Sequence, residues 1–149
     1  MENKSSIINN DERLIALFSH LSIFFGGIIL PLIFWLTNKD KSKFITFHSL
    51  QTLWFHLLFI VMIIVFVIIL IIVFVFGGIG VSALVSGSKS GQMSMFFIVF
   101  MIAFYILLFA MIFGVYGYSI YMGIKAYKGE YVMYPIVGKR IYDKVYKVN

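Results

Sequence analysis

The chain has no cysteine, only six carboxylates, two prolines and little charge of any kind. Without cysteine there can be no disulfide, no thiolate nucleophile, no iron-sulfur cluster and no Cys-based zinc site, and the redox compartment is left open. Charged residues make up 12% of the chain against 62% hydrophobic ones, far below the roughly one-quarter charged composition of a soluble domain. Signature motifs are missing too. There is no G-x-S-x-G, no H-E-x-x-H, no phosphate-cradling glycine loop and no pair of carboxylates within an apolar stretch, which argues against an enzyme. The three histidines, His20, His48 and His56, match no common zinc spacing and have no acid nearby in sequence, so no metal and no cofactor is expected.

What is present is oil. Phe44 to Ser88 is a run of 45 residues with no Asp, Glu, Lys or Arg, and Leu57 to Phe76 is 20 consecutive Leu, Ile, Val, Phe and Met residues. At about 1.5 Å per residue a helix of that length reaches about 30 Å, the thickness of a bilayer's hydrocarbon core. The β-branched content would favour a strand in water. In lipid, however, only a helix satisfies its own backbone, so lipid overrides propensity.

Two further charge-poor stretches, Leu14 to Asn38 and Ser90 to Ile124, complete the pattern. The reading is one all-α membrane domain over residues 11–126, with spans near 14–37, 52–78 and 95–122. A mobile polar tail (1–10) precedes it and a basic tail (127–149) follows. Asn10 before Asp11 and Glu12 reads as a helix N-cap. Gly26, Gly27 and Pro31 interrupt the first apolar run, which is therefore either one kinked span or a re-entrant pair of half-helices. From Gly77 to Met93 glycine and serine dominate, as at the end of a span and a flexible loop. In the third span Ala103, Ala110, Gly114 and Gly117 fall within about 60° of one another at 100° per residue. Such a stripe lets helix backbones approach closely in lipid. In the tail, Val137, Ile141 and Val145 are spaced four apart among Lys139, Arg140, Lys144 and Lys147, predicting an amphipathic helix on the membrane surface.

The net charge of +6 is carried beside the spans, where anionic lipid headgroups and orientation explain it better than nucleic acid does. With three full spans, nine of the twelve Lys and Arg residues share one face with the C-terminus, and that face is expected to be cytoplasmic. With a re-entrant first segment, eleven of twelve do. The location that follows is a bacterial cytoplasmic membrane, crossed more than once.

Ionisable groups within a membrane are the default functional candidates, and here only His20 and His56 qualify. His20 falls on a stripe with Arg13, Gly27 and Pro31 if the helix is continuous; a hydrogen bond to nearby backbone or Ser would account for it as well as a ligand contact. His48, Gln51, Thr52 and His56 begin the second apolar helix, where a solvated interfacial face is the plain expectation. A spanning first segment would put His20 and His48 at opposite faces, and a re-entrant one would bring them together.

Several motifs carry a resemblance: Arg13-Leu14-Ile15-Ala16-Leu17-Phe18-Ser19-His20-Leu21-Ser22, Gly27 to Leu36, Phe47-His48-Ser49-Leu50-Gln51-Thr52-Leu53, and Gly129-Glu130 with Tyr134-Pro135-Ile136. In these the chain resembles the small bacterial membrane proteins of the Tic-twenty-like family, named for a chloroplast inner-envelope import component and including a magnetosome membrane protein. The resemblance implies a helical protein of three or four spans that acts through protein partners. It makes His20, His48, Gln51, Tyr134 and Pro135 motif positions without assigning any of them catalysis. The expected function is a non-enzymatic scaffold or subunit of a membrane assembly concerned with transport or translocation, working with a membrane protein partner or with further copies of itself. A small transporter or pore component, suggested by Gly26, Gly27 and Pro31, and a membrane enzyme using His20 or His48 are the alternatives.

Overall fold

In the computed structural model, residues 8–25, 27–84 and 90–147 are described. They form five helices: α1 (Asn10–Leu21), α2 (Ile29–Asn38), α3 (Lys43–Leu84), α4 (Ser90–Tyr127) and α5 (Gly138–Tyr146), with a 3-10 turn at Ser22–Phe24 between the first two. No strand occurs among the described residues.

Helix α1 starts one residue earlier than its sequence suggests. Asn9, not Asn10, is the cap: its Oδ1 accepts the Glu12 N–H at 2.7 Å, and the Glu12 carboxylate accepts the Asn9 N–H at 2.9 Å. Only Asn9 has an acid three residues into the helix to complete this reciprocal pair. The helix stops after Leu21 because the chain turns at Gly27, whose φ of +51° is left-handed and suits a residue without Cβ. Gly26, the other glycine of the expected break, lies outside the described residues. Pro31 is buried in the first turn of α2, where the ring's missing N–H breaks no helical bond.

This interruption corrects the expected count of three spans. Two helices are long and apolar enough to cross a membrane, over Lys43–Gly77 and Met95–Tyr127, and no residue of the most apolar window of either is buried inside the protein. Large side chains such as Ile64, Ile68, Ile72, Ile98, Ile102 and Ile106 face outward. A soluble chain does not expose continuous apolar surface on this scale, so the outward faces belong to lipid. The first apolar run instead supplies two helices of 12 and 10 residues. At about 1.5 Å per residue neither can cross a hydrocarbon core.

The chain divides into two compact units, one of Met1–Phe59 with Tyr116–Asn149 and one of Ile60–Val115. The second is a pair of α-helical stretches from α3 and α4. Phe66 and Phe104 stack there with ring centroids 4.2 Å apart, and the Phe97 ring occupies the space a side chain would fill at Gly77. Helical structure covers Gly77–Leu84 and resumes at Ser90, so the helices run further into the Gly/Ser stretch than its composition suggests.

The first unit holds the polar chemistry. There α4 ends in a Schellman cap: Gly129, at φ +85°, donates to the Ala126 carbonyl, and Glu130 N–H reaches the Lys125 carbonyl at 3.1 Å. Helix α5 forms as expected, yet its apolar stripe is used within the protein and not on lipid. Ile141 is buried with Phe47, Leu50 and Leu53, with Val145 beside them, and Val137 packs with Met122 and Tyr134. The first turns of α3 carry an apolar face of their own, and α5 covers it.

Candidate functional site

At the centre of the first unit is a buried polar network. His20 and Ser19 come from α1, and His48, Ser49, Gln51, Thr52 and His56 from the first turns of α3. Tyr134 comes from the segment that follows α4. His20, His48, Ser49, Gln51 and Thr52 are each fully inaccessible. The solvated interfacial face expected for the α3 residues is therefore a core, because α1 folds back along them.

One proton arrangement makes every one of these contacts a hydrogen bond. The Gln51 amide nitrogen only donates, and it lies 2.9 Å from the Val132 carbonyl and 3.3 Å from His48 Nδ1. His48 Nδ1 is then an acceptor, so the His20 Nε2–H donates to it at 3.0 Å. His20 Nδ1 in turn accepts, with Tyr134 Oη at 3.0 Å and Thr52 Oγ1 at 3.1 Å. Gln51 Oε1 closes the circuit by accepting the Tyr134 N–H at 3.2 Å. One side-chain amide thus holds the backbone at both Val132 and Tyr134, and that clamp aims the Tyr134 hydroxyl at His20. Phe55 stacks on the Tyr134 ring at 3.9 Å, nearly parallel, and removes the rest of it from solvent.

A second cluster staples the turn after α1. Ser22 Oγ lies 2.7 Å from the Ser19 carbonyl and 3.1 Å from the Gly27 carbonyl, and His56 Nδ1–H donates to that same Gly27 carbonyl at 3.0 Å. Ser19 and Ser49 hydroxyls meet at 2.9 Å. The buried Nε2 atoms of His48 and His56 have no hydrogen-bond partner.

The electrostatics keep this network neutral. Burial, reinforced by the neighbouring His48 and His56, holds His20 well below the ordinary imidazole value of 6.5. Burial pushes the Tyr134 phenol up, so it remains a hydroxyl donor. Among the described residues no group of three His, Cys, Asp or Glu side chains converges to hold a metal ion. Two cavities of about 240 Å³ open near Lys41 and Lys43 and near Lys39 and Trp35, and no histidine lines either. The bonds between these groups tie α1, the first turns of α3 and the segment after α4 into one register.

Of the residues singled out in sequence, His20, His48, Gln51 and Tyr134 are brought together. Pro135 is exposed and lies beside the network, its carbonyl accepting the Val137 N–H at 2.8 Å in the turn into α5. The stripe Ala103, Ala110, Gly114 and Gly117 is exposed, and nothing lies within 4 Å of where a side chain would begin at Gly114 or Gly117. The close helix approach within the chain is elsewhere, at Gly123, where an added Cβ would come within 3.0 Å of Leu17 and 3.4 Å of His20. Sequence reasoning also missed Ser19, Ser22 and Ser49. The only signal available for them was polarity in an otherwise apolar run.

Comparison with known proteins corrects the Tic-twenty-like resemblance. The family whose model matches, over residues 11–141, is instead the magnetosome magnetite crystal formation protein family (MamF/MmsF). No curated protein and no solved structure matches the chain. The match takes in α1 through the first turn of α5, every residue of the buried network included, and on that evidence the chain belongs to the magnetosome magnetite crystal formation protein family.

Proposed function

We propose that the chain is a non-enzymatic scaffold subunit of the membrane in which magnetite crystals form, acting by assembly with further copies or with a second membrane protein. One observation carries this reading: His20, Gln51, Thr52 and Tyr134 are buried and bonded to one another and to the backbone, while the small-residue stripe on α4 is left open to the surroundings. In lipid, where apolar surfaces are not driven together by water, a stripe of Ala and Gly is the kind of surface on which helices associate. The exposed Lys139, Arg140, Lys144 and Lys147 of the C-terminal segment give the same molecule a cationic surface for anionic headgroups, with that end facing the cytoplasm. A transporter reading loses its support at Gly27, since the carbonyl freed by the broken helix already accepts from Ser22 and His56.

The test is association in native membranes. Two differently tagged copies, cross-linked before mild solubilisation, should be recovered together, and Gly114→Leu with Gly117→Leu should abolish this. Because both positions face open space, the double variant should keep the monomer's thermal stability. Recovery of wild-type monomer alone, cross-linked to neither itself nor another membrane protein, would refute the proposal.

A further inference from the structure

The contacts between the first two helices and α3 occur in a definite order. Going forward along α1, Ala16 packs with Phe44, Ser19 bonds Ser49, His20 bonds His48 and Thr52, and the Gly27 carbonyl meets His56. Helix α1 and the turn after it therefore run parallel to α3 for about three turns, from Phe44 to His56. Coming back, Ile28 and Trp35 pack on the Phe47, Leu50 and Leu53 cluster, and the Thr46 hydroxyl donates to the Asn38 carbonyl at 3.1 Å. The return arm ends where α3 begins. The furthest of these bonds along α3 is at His56, immediately before the 20-residue apolar run of Leu57 to Phe76.

A segment that crossed the bilayer would leave its two ends at opposite ends of α3. Here both arms begin and finish beside its first turns. The outer face of the hairpin is nonetheless apolar and uncovered: Phe25 is 82% exposed, and Phe24, Ile29, Ile33 and Leu36 are exposed with it. Ile29, Ile33 and Leu36 are spaced four and three apart, one face of α2. Ser19, His20 and Ser22 of the hairpin are turned inward and paired, and the exposed Thr37 at the end of this ridge returns its hydroxyl to the Ile33 carbonyl at 2.8 Å, which leaves no charged group on the ridge to fix the register of a protein partner. At its base the exposed Lys39, Lys41 and Lys43 match the phosphates of lipid headgroups.

We infer that α1 and α2 form a re-entrant hairpin whose ridge of Phe24, Phe25, Ile29, Ile33 and Leu36 is seated in the acyl-headgroup boundary of one leaflet. The start of α1 then lies on the same side of the membrane as the lysines of residues 39–43 and the C-terminal helix. Lipid of that leaflet is the partner of the ridge. The inference stands on the hairpin's own geometry and is independent of the assembly proposed above.

Because the natural chain has no cysteine, single-cysteine variants need no background substitutions. Asn10→Cys, Lys41→Cys, Lys144→Cys and Ser90→Cys, in sealed membrane vesicles of known orientation, are exposed to a membrane-impermeant maleimide. The first three should label from one side and Ser90→Cys from the other. Labelling of Asn10→Cys from the same side as Ser90→Cys would overturn the inference. For the ridge, Phe25→Trp and, separately, Ile29→Trp are placed in a Trp35→Phe, Trp54→Phe background and quenched by spin-labelled lipids of graded depth. Quenching by a label just below the headgroups is expected at both positions. Quenching by aqueous iodide, or protection from lipid and iodide alike as under a covering protein, would refute the seat in lipid; both positions are exposed, so neither substitution disturbs the packing.

Discussion

Gln51 is the residue on which the buried network turns, because one amide satisfies two backbone groups and a histidine nitrogen. Its replacement by Leu would leave the Tyr134 N–H and the Val132 carbonyl buried without partners, at about 1–3 kcal/mol for each. Tyr134→Phe removes a single hydroxyl, whose loss costs about 1 kcal/mol because Thr52 still reaches the same His20 nitrogen. Thermal unfolding in detergent should therefore rank wild type above Tyr134→Phe and Tyr134→Phe well above Gln51→Leu; equal losses would show that the clamp does not hold the segment. The pH dependence follows from His20, whose folded-state pKa lies below the 6.5 it has when unfolded. Above that pH neither state is protonated and there is no effect. Below it the unfolded chain takes up a proton that the folded chain refuses, so stability falls as pH drops from about 7 towards the lowered folded value. A melting temperature that declines between pH 7.5 and 5, with a shallower decline in His20→Gln, is the expected result. Sequence motifs made His20, His48, Gln51 and Tyr134 stand out, and a re-entrant first segment would set His20 and His48 at one face, but nothing in the sequence joined Gln51 and Tyr134 to them. Their union requires α1 to lie beside α3, a fact of tertiary structure that no spacing within one helix encodes.

At the scale of elements, the long helices were legible and the first segment was not, for one physical reason. Hydropathy measures whether a run is long and oily enough to span, and Leu57 to Phe76 answers that question alone. It cannot say whether an oily run of similar length is cut in the middle, where a left-handed Gly27 and the bonds from Ser22 and His56 decide the outcome. Glycines show the same limit. The stripe of Gly114 and Gly117 could be read from periodicity, whereas Gly123, Gly77 and Gly138 matter through what approaches them. At Gly138 an added Cβ would lie 2.6 Å from Met133 Cβ and 2.8 Å from its Cα, and backbone at that range cannot easily yield. Gly138→Ala should therefore force the Tyr134-to-α5 turn apart and loosen Tyr134, read as faster amide exchange at Val132 and Tyr134; unchanged exchange would place the adjustment elsewhere. The same turn holds Ile136 at φ +71°, a left-handed conformation that costs a β-branched residue about 1–2 kcal/mol. Its side chain is exposed, so Ile136→Gly relieves the strain without opening a core and should raise the melting temperature. A fall would mean that the exposed isoleucine is held by something outside the chain, lipid being the nearest candidate.

For the whole molecule, the two kinds of insertion have different consequences for the bilayer. A span occupies area in both leaflets, so the membrane portions of α3 and α4 are close to neutral with respect to bending. A hairpin seated in one leaflet adds area to that leaflet alone, and the bilayer relaxes by curving so that this leaflet is on the outside of the bend. A small closed membrane is curved in this sense, and a protein that expands one leaflet would favour such a surface wherever its hairpin side faces outward. The expected result is measurable with reconstituted protein: at equal lipid, it should partition into small sonicated vesicles in preference to large extruded ones, with its cationic side outermost. Phe25→Ser with Ile29→Ser, which leaves the buried network and both spans intact, should weaken the preference without preventing insertion. If wild type and variant distribute alike over vesicle size, the ridge is too narrow to bend a membrane, and any role in shaping it falls to association through the α4 stripe.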